Sequence, residues 1–332
     1  MDNYKGIKGY KVQSLASDPT SVAGDVVQVW YNTSGNALKY LQQAAGAWAS
    51  GGALTTGRNT LGGAGTQNAG LVFGGLIPGS SALTETYNGT AWTEVADRGT
   101  ARYFAGSAGT QTAALYFGGR PDPTAGVSEE WDGTSWAEGS NLNTARYALS
   151  GFGTQTAAVG AGGYRITPAT SVGNVEEYNG TCWSEETDIL TVVKDVGGFG
   201  TQTAGAIVGG RRISPEAAWN GTQEYDGSCW AAGGNLNTGS FANGIAGITQ
   251  TTGLIFARKT VGPPGIVISP KTEEYDGTTW TEVADMATTR SGASTQAGTG
   301  PAAIAAGGGP PTVNTVEEWS GAPLTVKTVT VS

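Results

Sequence analysis

Residues 129–136 read Glu129-Glu130-Trp131-Asp132-Gly133-Thr134-Ser135-Trp136, and this octet decides the fold. An aromatic, an Asp-Gly pair and a Trp five residues after the aromatic describe two strands joined by a tight hairpin, because Asp-Gly and Asn-Gly are the preferred two-residue turns, in which both positions need φ > 0. The pattern recurs in copies ending at Trp92, Trp183, Trp230 and Trp280, and in a degenerate copy that starts at Trp319 and has Leu324 in the Trp place. A second degenerate copy runs from Tyr40 to Trp48. The first aromatics fall at Tyr40, Tyr87, Trp131, Tyr178, Tyr225, Tyr275 and Trp319, one every 44–50 residues. Two more marks keep the same phase. Gly-Thr-Gln or a relative stands at Gly65, Gly109, Gly153, Gly200 and Gly247, and a Gly-Gly pair ends a short apolar run at Gly74, Gly118, Gly162, Gly209 and Gly307. The fifth unit has Phe256-Ala257 where the pair belongs.

Each unit holds four short strands; in the second they are expected near 102–108, 113–117, 127–131 and 135–138. The first strand of each unit is mostly Gly, Ala, Ser and Thr, as strands crowded around an axis require, and the aromatics lie further out where neighbouring sheets diverge. One four-stranded meander per repeat, arranged radially, is a β-propeller. The seven aromatic positions favour seven blades. The N-terminal segments 26–31, 37–41 and 47–50 would form most of the odd blade, and 324–331 would complete blade six or close the ring. Six blades plus an N-terminal hairpin is the alternative. Residues 1–24 precede the repeats and 25–332 make up the propeller.

Composition agrees. Of 332 residues, 55 are Gly against a usual ~7%, yet 10 Trp and 12 Tyr argue for a packed interior over disorder. Gly at this density excludes long helices. With no His in the chain, Ser-His-Asp and His-metal chemistry are impossible, and Cys182 and Cys229 are too few for a disulfide scaffold. The two thiols read as buried filler. No apolar run is long enough to span a bilayer, no signal-peptide pattern opens the chain, and a net charge of -9 disfavours nucleic acid. No catalytic residue, metal site or cofactor is expected.

The units resemble the kelch family, in which a Gly-Gly ends the second strand, a Tyr precedes a Trp at a fixed interval, and an Arg opens the next unit. Here these are Gly118-Gly119, Trp131, Trp136 and Arg146, and the resemblance covers roughly residues 36–332. It implies a propeller and says little of function. The N-terminal stretch Gly24-Asp25, Trp30-Tyr31-Asn32-Thr33 and Leu38-Lys39-Tyr40 is similar to a hairpin that precedes such repeats in structural proteins of tailed bacteriophages, with Val26–Val29 as an insertion. That resemblance implies a virion component, such as a tail fibre, adaptor or capsid appendage, made in the host cytoplasm. It would pack in several copies against other virion proteins in a symmetric assembly.

Arg58, Arg102, Arg146 and Arg290 recur once per unit, as scaffold residues do, and are expected to tie loop carbonyls or a neighbouring blade's Glu. The Glu-Glu pairs cannot chelate one ion, because consecutive strand residues face opposite ways. The variable loops after the Gly-Gly pairs are the better place for function. They carry Arg120, Tyr164, Arg165, Arg211, Arg212, Trp219, Arg258 and Lys259, a basic and aromatic set on an acidic protein, suited to an acidic host-surface glycan or a partner's carboxylates. Lys5, Lys8 and Lys11 mark the first residues as an attachment segment. The expected role is a non-enzymatic scaffold or adhesin of a virion; the alternative is a soluble propeller lectin or glycan-acting enzyme.

Overall fold

A computed structural model describes residues 13–18, 29–43, 45–213, 216–262, 265–294, 296–321 and 324–329. The attachment lysines Lys5, Lys8 and Lys11 lie outside them. The chain is all-β and divides into two compact units, residues 1–46 with 322–332, and Ala47–Gly321.

In the larger unit six four-stranded antiparallel sheets follow the repeat. Sheet 1 is Gly62–Thr66, Ala69–Phe73, Thr84–Tyr87 and Trp92–Val95. Sheet 2 is Gly106–Gly109, Ala114–Phe117, Ser128–Trp131 and Trp136–Glu138. Sheets 3, 4 and 5 begin at Ser150, Gly197 and Gly244 and end at Glu186, Ala232 and Val283. Sheet 6 takes Gly298–Thr299, Ala302–Ala306 and Val316–Ser320 from the end of the unit, and its fourth strand, Ala47–Ser50, from the beginning. Trp48 pairs with Trp319, so it fills the place expected for Leu324. The expected Tyr40/Trp48 pair is thus divided between the two units.

The first strand of each sheet packs against the first strand of the next, and sheet 6 returns to sheet 1. At one end of these strands six residues close a ring of backbone hydrogen bonds. Thr60 N–H donates to Gly292 O (2.7 Å), Gly292 to Ala242 (3.0 Å), Ala242 to Asp195 (3.1 Å), Asp195 to Ala148 (2.8 Å), Ala148 to Phe104 (2.7 Å) and Phe104 to Thr60 (3.4 Å). All six carry φ between 51° and 61°, five of them without being glycine. The left-handed conformation is disfavoured for side chains with a Cβ, and cyclic bonding from both neighbours holds it in place.

Three side-chain stitches hold the sheets together. Gln111 Nε2 donates to Gly70 O and Tyr87 O of the preceding sheet at 3.0 and 2.7 Å, and Gln67, Gln155, Gln202 and Gln250 repeat the bridge. The blade Trp indoles reach a hydroxyl on the preceding sheet: Trp136 to Thr84, Trp183 to Ser128, Trp280 to Thr222 and Trp48 to Thr272. Where that hydroxyl is replaced by Val175, Trp230 turns to Thr187 O; where it is replaced by Val316, the Trp92 indole has no partner among the described residues. The second Glu of each pair accepts the neighbour's aromatic, as Glu130 does from Tyr178, Glu224 from Tyr275 (2.5 Å) and Glu274 from Trp319. Burial and this carboxylate push the Tyr275 hydroxyl up to about 12.

The first Glu of each pair turns into its own sheet and meets the recurring arginine. Arg58–Glu85 (2.7 Å), Arg102–Glu129 (2.7 Å), Arg146–Glu176 and Arg290–Glu317 (3.3 Å) are buried ion pairs. Arg58 also donates to Gly74 O and Leu83 O, which fixes the Gly-Gly corner and the strand after it. The carbonyls are those expected, but the Glu belongs to the same sheet and not to a neighbour. Desolvation lowers the pKa of Arg58, Arg146 and Arg290, and that of Arg98, a second guanidinium on Glu129, to about 10.

Two local expectations are corrected. In the hairpins only the glycines take a left-handed φ (88–93° at Gly89, Gly133, Gly180, Gly227 and Gly277). The residue before is held by its own side chain: Asp132 Oδ1 accepts the amides of Thr134 and Ser135, both at 2.8 Å. Cys182 and Cys229 are exposed and free, because each is the last turn residue, with its amide on Asn179 or Asp226 Oδ1.

The smaller unit is one sheet, in the order Gln13–Leu15, Val29–Asn32, Ala37–Gln43 and Leu324–Thr328, with its first pair parallel. Asp18 gathers Trp30 Nε1 (3.1 Å), Asn32 Nδ2 (2.6 Å) and Lys39 Nζ (2.7 Å). Leu324–Thr328 therefore pairs with Ala37–Gln43 and does not complete sheet 6.

Candidate functional site

The residue before each ring member pairs with the residue after the Gly-Gly corner of the same sheet. The six pairs are Asn59/Leu76, Tyr103/Arg120, Tyr147/Tyr164, Lys194/Arg211, Phe241/Lys259 and Ser291/Gly309. Four residues picked from unrelated-looking loops (Arg120, Tyr164, Arg211 and Lys259) thus occupy one equivalent position in consecutive sheets. Sheets 2 to 5 carry aromatic and cationic groups there, whereas sheets 6 and 1 carry small or neutral ones.

Contacts between sheets knit the charged sector. Arg120 lies over the Tyr147 ring at 4.9 Å, Lys194 over Tyr164 at 4.3 Å, and Arg211 over Phe241 at 5.2 Å. Tyr147 and Tyr164 themselves pack at 5.4 Å. Such cation–ring contacts fix the direction of long side chains that would otherwise sweep through solvent. Burial lowers the Lys194 pKa and raises that of Tyr147.

Asp195 is the one acid of the ring, and Arg211 Nε stands 3.6 Å from its carboxylate. Burial raises the Asp195 pKa, while Arg211, Lys194 and Lys259 act in the opposite sense. Arg211 shares itself with Glu216 at 3.0 Å. At the ring lies a half-open cavity of about 60 Å3, lined by residues 60–61, 104–105, 148–149, 195–196, 242–243 and 292–293, two from each sheet.

The remaining predicted residues fall further out or inward. Arg165 and Arg212 follow their ring-side neighbours in the short ribbons Tyr164–Arg165/Thr170–Ser171 and Arg211–Ile213/Glu216–Ala218, and both are half-buried. Trp219 is half-buried against the core of sheets 3 and 4 instead of standing free. Arg258 does not belong to the face. It is fully buried and pairs with Glu273 at 2.6 Å. The reason is an exchange within sheet 5, whose corner is Ala257-Arg258 and not the expected Phe256-Ala257: Ser240 occupies the position of the recurring Arg, and Arg258, standing in the place of the second Gly, supplies the guanidinium from the other side.

Sequence reasoning missed Tyr103, Tyr147, Lys194, Asp195 and Asn243. The signal was present, since Val193-Lys194-Asp195-Val196 and Ser240-Phe241-Ala242-Asn243 stand in register with Arg102-Tyr103-Phe104-Ala105. Among the described residues no group of three or more Cys, Asp and Glu could hold a metal, and no helix is long and apolar enough to cross a membrane. No family model matches this sequence, and no curated protein matches it.

Proposed function

We propose that the Ala47–Gly321 unit is a six-bladed, kelch-like β-propeller acting as a non-enzymatic binding scaffold, and that its basic-aromatic face contacts an acidic glycan or a partner's carboxylates. The observation that carries the binding reading is the arc of Arg120, Tyr147, Tyr164, Lys194, Arg211 and Phe241, held by cation–ring contacts on four consecutive sheets around one cavity. Cyclic packing of six sheets supports the blade count, with the strand Ala47–Ser50 closing the last blade. Pre-ordered cations lose less freedom on binding an anion than free lysines do. Binding of polygalacturonate, an acidic polysaccharide, should weaken at least tenfold in an Arg120→Ser/Lys194→Ser double variant. Equal binding by variant and wild type would remove the face from the proposal.

The setting we propose is the virion of a tailed bacteriophage, as a tail fibre, adaptor or capsid appendage, with residues 1–24 as the attachment segment. It rests on the resemblance of residues 24–40 and of the repeats. Antibody labelling of particles at one defined position supports it. Unlabelled particles would leave a propeller lectin, which the same face favours equally.

A further inference from the structure

Two polar residues break the pattern of the ring cavity, and both stand in adjacent sheets. At the first lining position Thr60, Phe104, Ala148, Ala242 and Gly292 are uncharged, and the exception is Asp195. At the second position Leu61, Ala105, Leu149, Val196 and Ala293 are apolar, and the exception is Asn243. Asn243 is 5% exposed, and neither its Oδ1 nor its Nδ2 has a partner among the described residues. A buried amide left unpaired costs about 1–3 kcal/mol per group, and such groups call for an explanation. Packing does not require it, since Leu or Val serves in the equivalent place of three other sheets.

The surroundings define what would satisfy it. A second carboxylate would meet Asp195, and a cationic group would meet Arg211, Lys194 and Lys259, which already converge there. The cavity, at about 60 Å3, has room for a small group of a few heavy atoms. A neutral group with one acceptor, one donor and a methyl fits. We infer that the cavity receives the acetamido group of an N-acetylated sugar, its oxygen accepting from Asn243 Nδ2, its N–H donating to the Asp195 carboxylate on the other side, and its methyl among Leu61, Leu149 and Val196. The pyranose would rest outside, towards Tyr103 and Tyr147. This inference rests on the face being a glycan-binding surface.

Saturation-transfer NMR on the full chain with N-acetylglucosamine, glucosamine and glucose tests it. The acetyl methyl should receive the strongest saturation, and glucose and glucosamine should give at least tenfold less. Asn243→Leu, which installs the residue of sheets 1 and 3, should abolish the methyl signal. Equal signals from the three sugars, no methyl signal, or an unchanged signal in Asn243→Leu would each overturn the assignment. Because the sugar comparison needs only wild-type protein, the test stands even if the variant does not fold. Polygalacturonate carries no acetamido group, so its binding to wild type reads the rim separately. Rim binding without acetyl selectivity sinks the cavity assignment alone, and loss of both sinks the glycan reading as well.

Discussion

Sheet 3 and sheet 5 solve the same problem with opposite wiring. In sheet 3 the crossover supplies Arg146 to Glu176, and the Gly162-Gly163 corner stays clear to let the chains approach. In sheet 5 the crossover residue is Ser240, the corner is Ala257-Arg258, and the guanidinium arrives from the corner to meet Glu273. Sheet 4 goes further and drops both charges, with Val193 opposite Gln223, whose amide holds Thr191 N–H at 3.0 Å and Thr191 O at 3.2 Å. What is preserved is the satisfaction of a buried spot, and charge is one of several ways to reach it. The two sheets that depart from the common wiring are also those that bring Asp195 and Asn243 to the ring.

The comparison can be broken most directly in sheet 3. Arg146→Met leaves Glu176 buried without a counter-charge, and urea unfolding should show a loss of about 3–5 kcal/mol. The double variant Arg146→Val/Glu176→Gln, which copies sheet 4, should recover most of that loss; if it is as unstable as the single variant, the sheets are not interchangeable. In sheet 5, Arg258→Gly should cost about 3 kcal/mol by the same mechanism, and adding Ser240→Arg should restore stability by returning the guanidinium to its usual side. Strict additivity of the two changes would refute the exchange. A smaller gain is expected at the seam between sheets 6 and 1. Val316→Thr offers the Trp92 indole the hydroxyl that Trp136 finds on Thr84, and thermal unfolding should report about 0.5–1 kcal/mol of added stability.

The smallest effect is one of pH. Asp195 has its pKa raised above 3.8 by burial, so its charge weighs on the folded state. That unfavourable contribution is complete above the folded pKa, shrinks as pH falls through it, and is gone below the unfolded value near 3.8. Asp195→Asn should therefore melt higher than wild type at pH 7, and the two curves should converge by about pH 3.8. A constant gap across that range would mean that the carboxylate stays charged throughout.

Much of this was readable because each hairpin carries its instruction within eight residues. Strand order, the aromatic positions and the scaffold role of Arg58, Arg102, Arg146 and Arg290 follow from local spacing. The closing strand was not readable, because Trp48 belongs with Trp319, while chain neighbourhood pairs it with Tyr40. An interval of eight residues in place of five was the available warning. The ring of left-handed residues was hidden for a different reason: Thr60, Phe104, Ala148, Asp195 and Ala242 adopt a conformation foreign to their own preferences, imposed by bonds from the ring residues of the neighbouring sheets, far away in the sequence. Arg258 was misplaced because a loop position implies exposure only when no neighbouring cavity needs filling, and Ser240 leaves one.

The strand Ala47–Ser50 also has a mechanical meaning. Ala47 lies opposite Ser320, so the two ends of the larger unit leave side by side from one pair of strands. Tension between those ends loads the seam one backbone hydrogen bond at a time, as a zipper is opened, whereas every other sheet is continuous in the chain and takes no load until the seam has parted. Under pulling the larger unit has one designated fault line, and the other five sheets stand behind it.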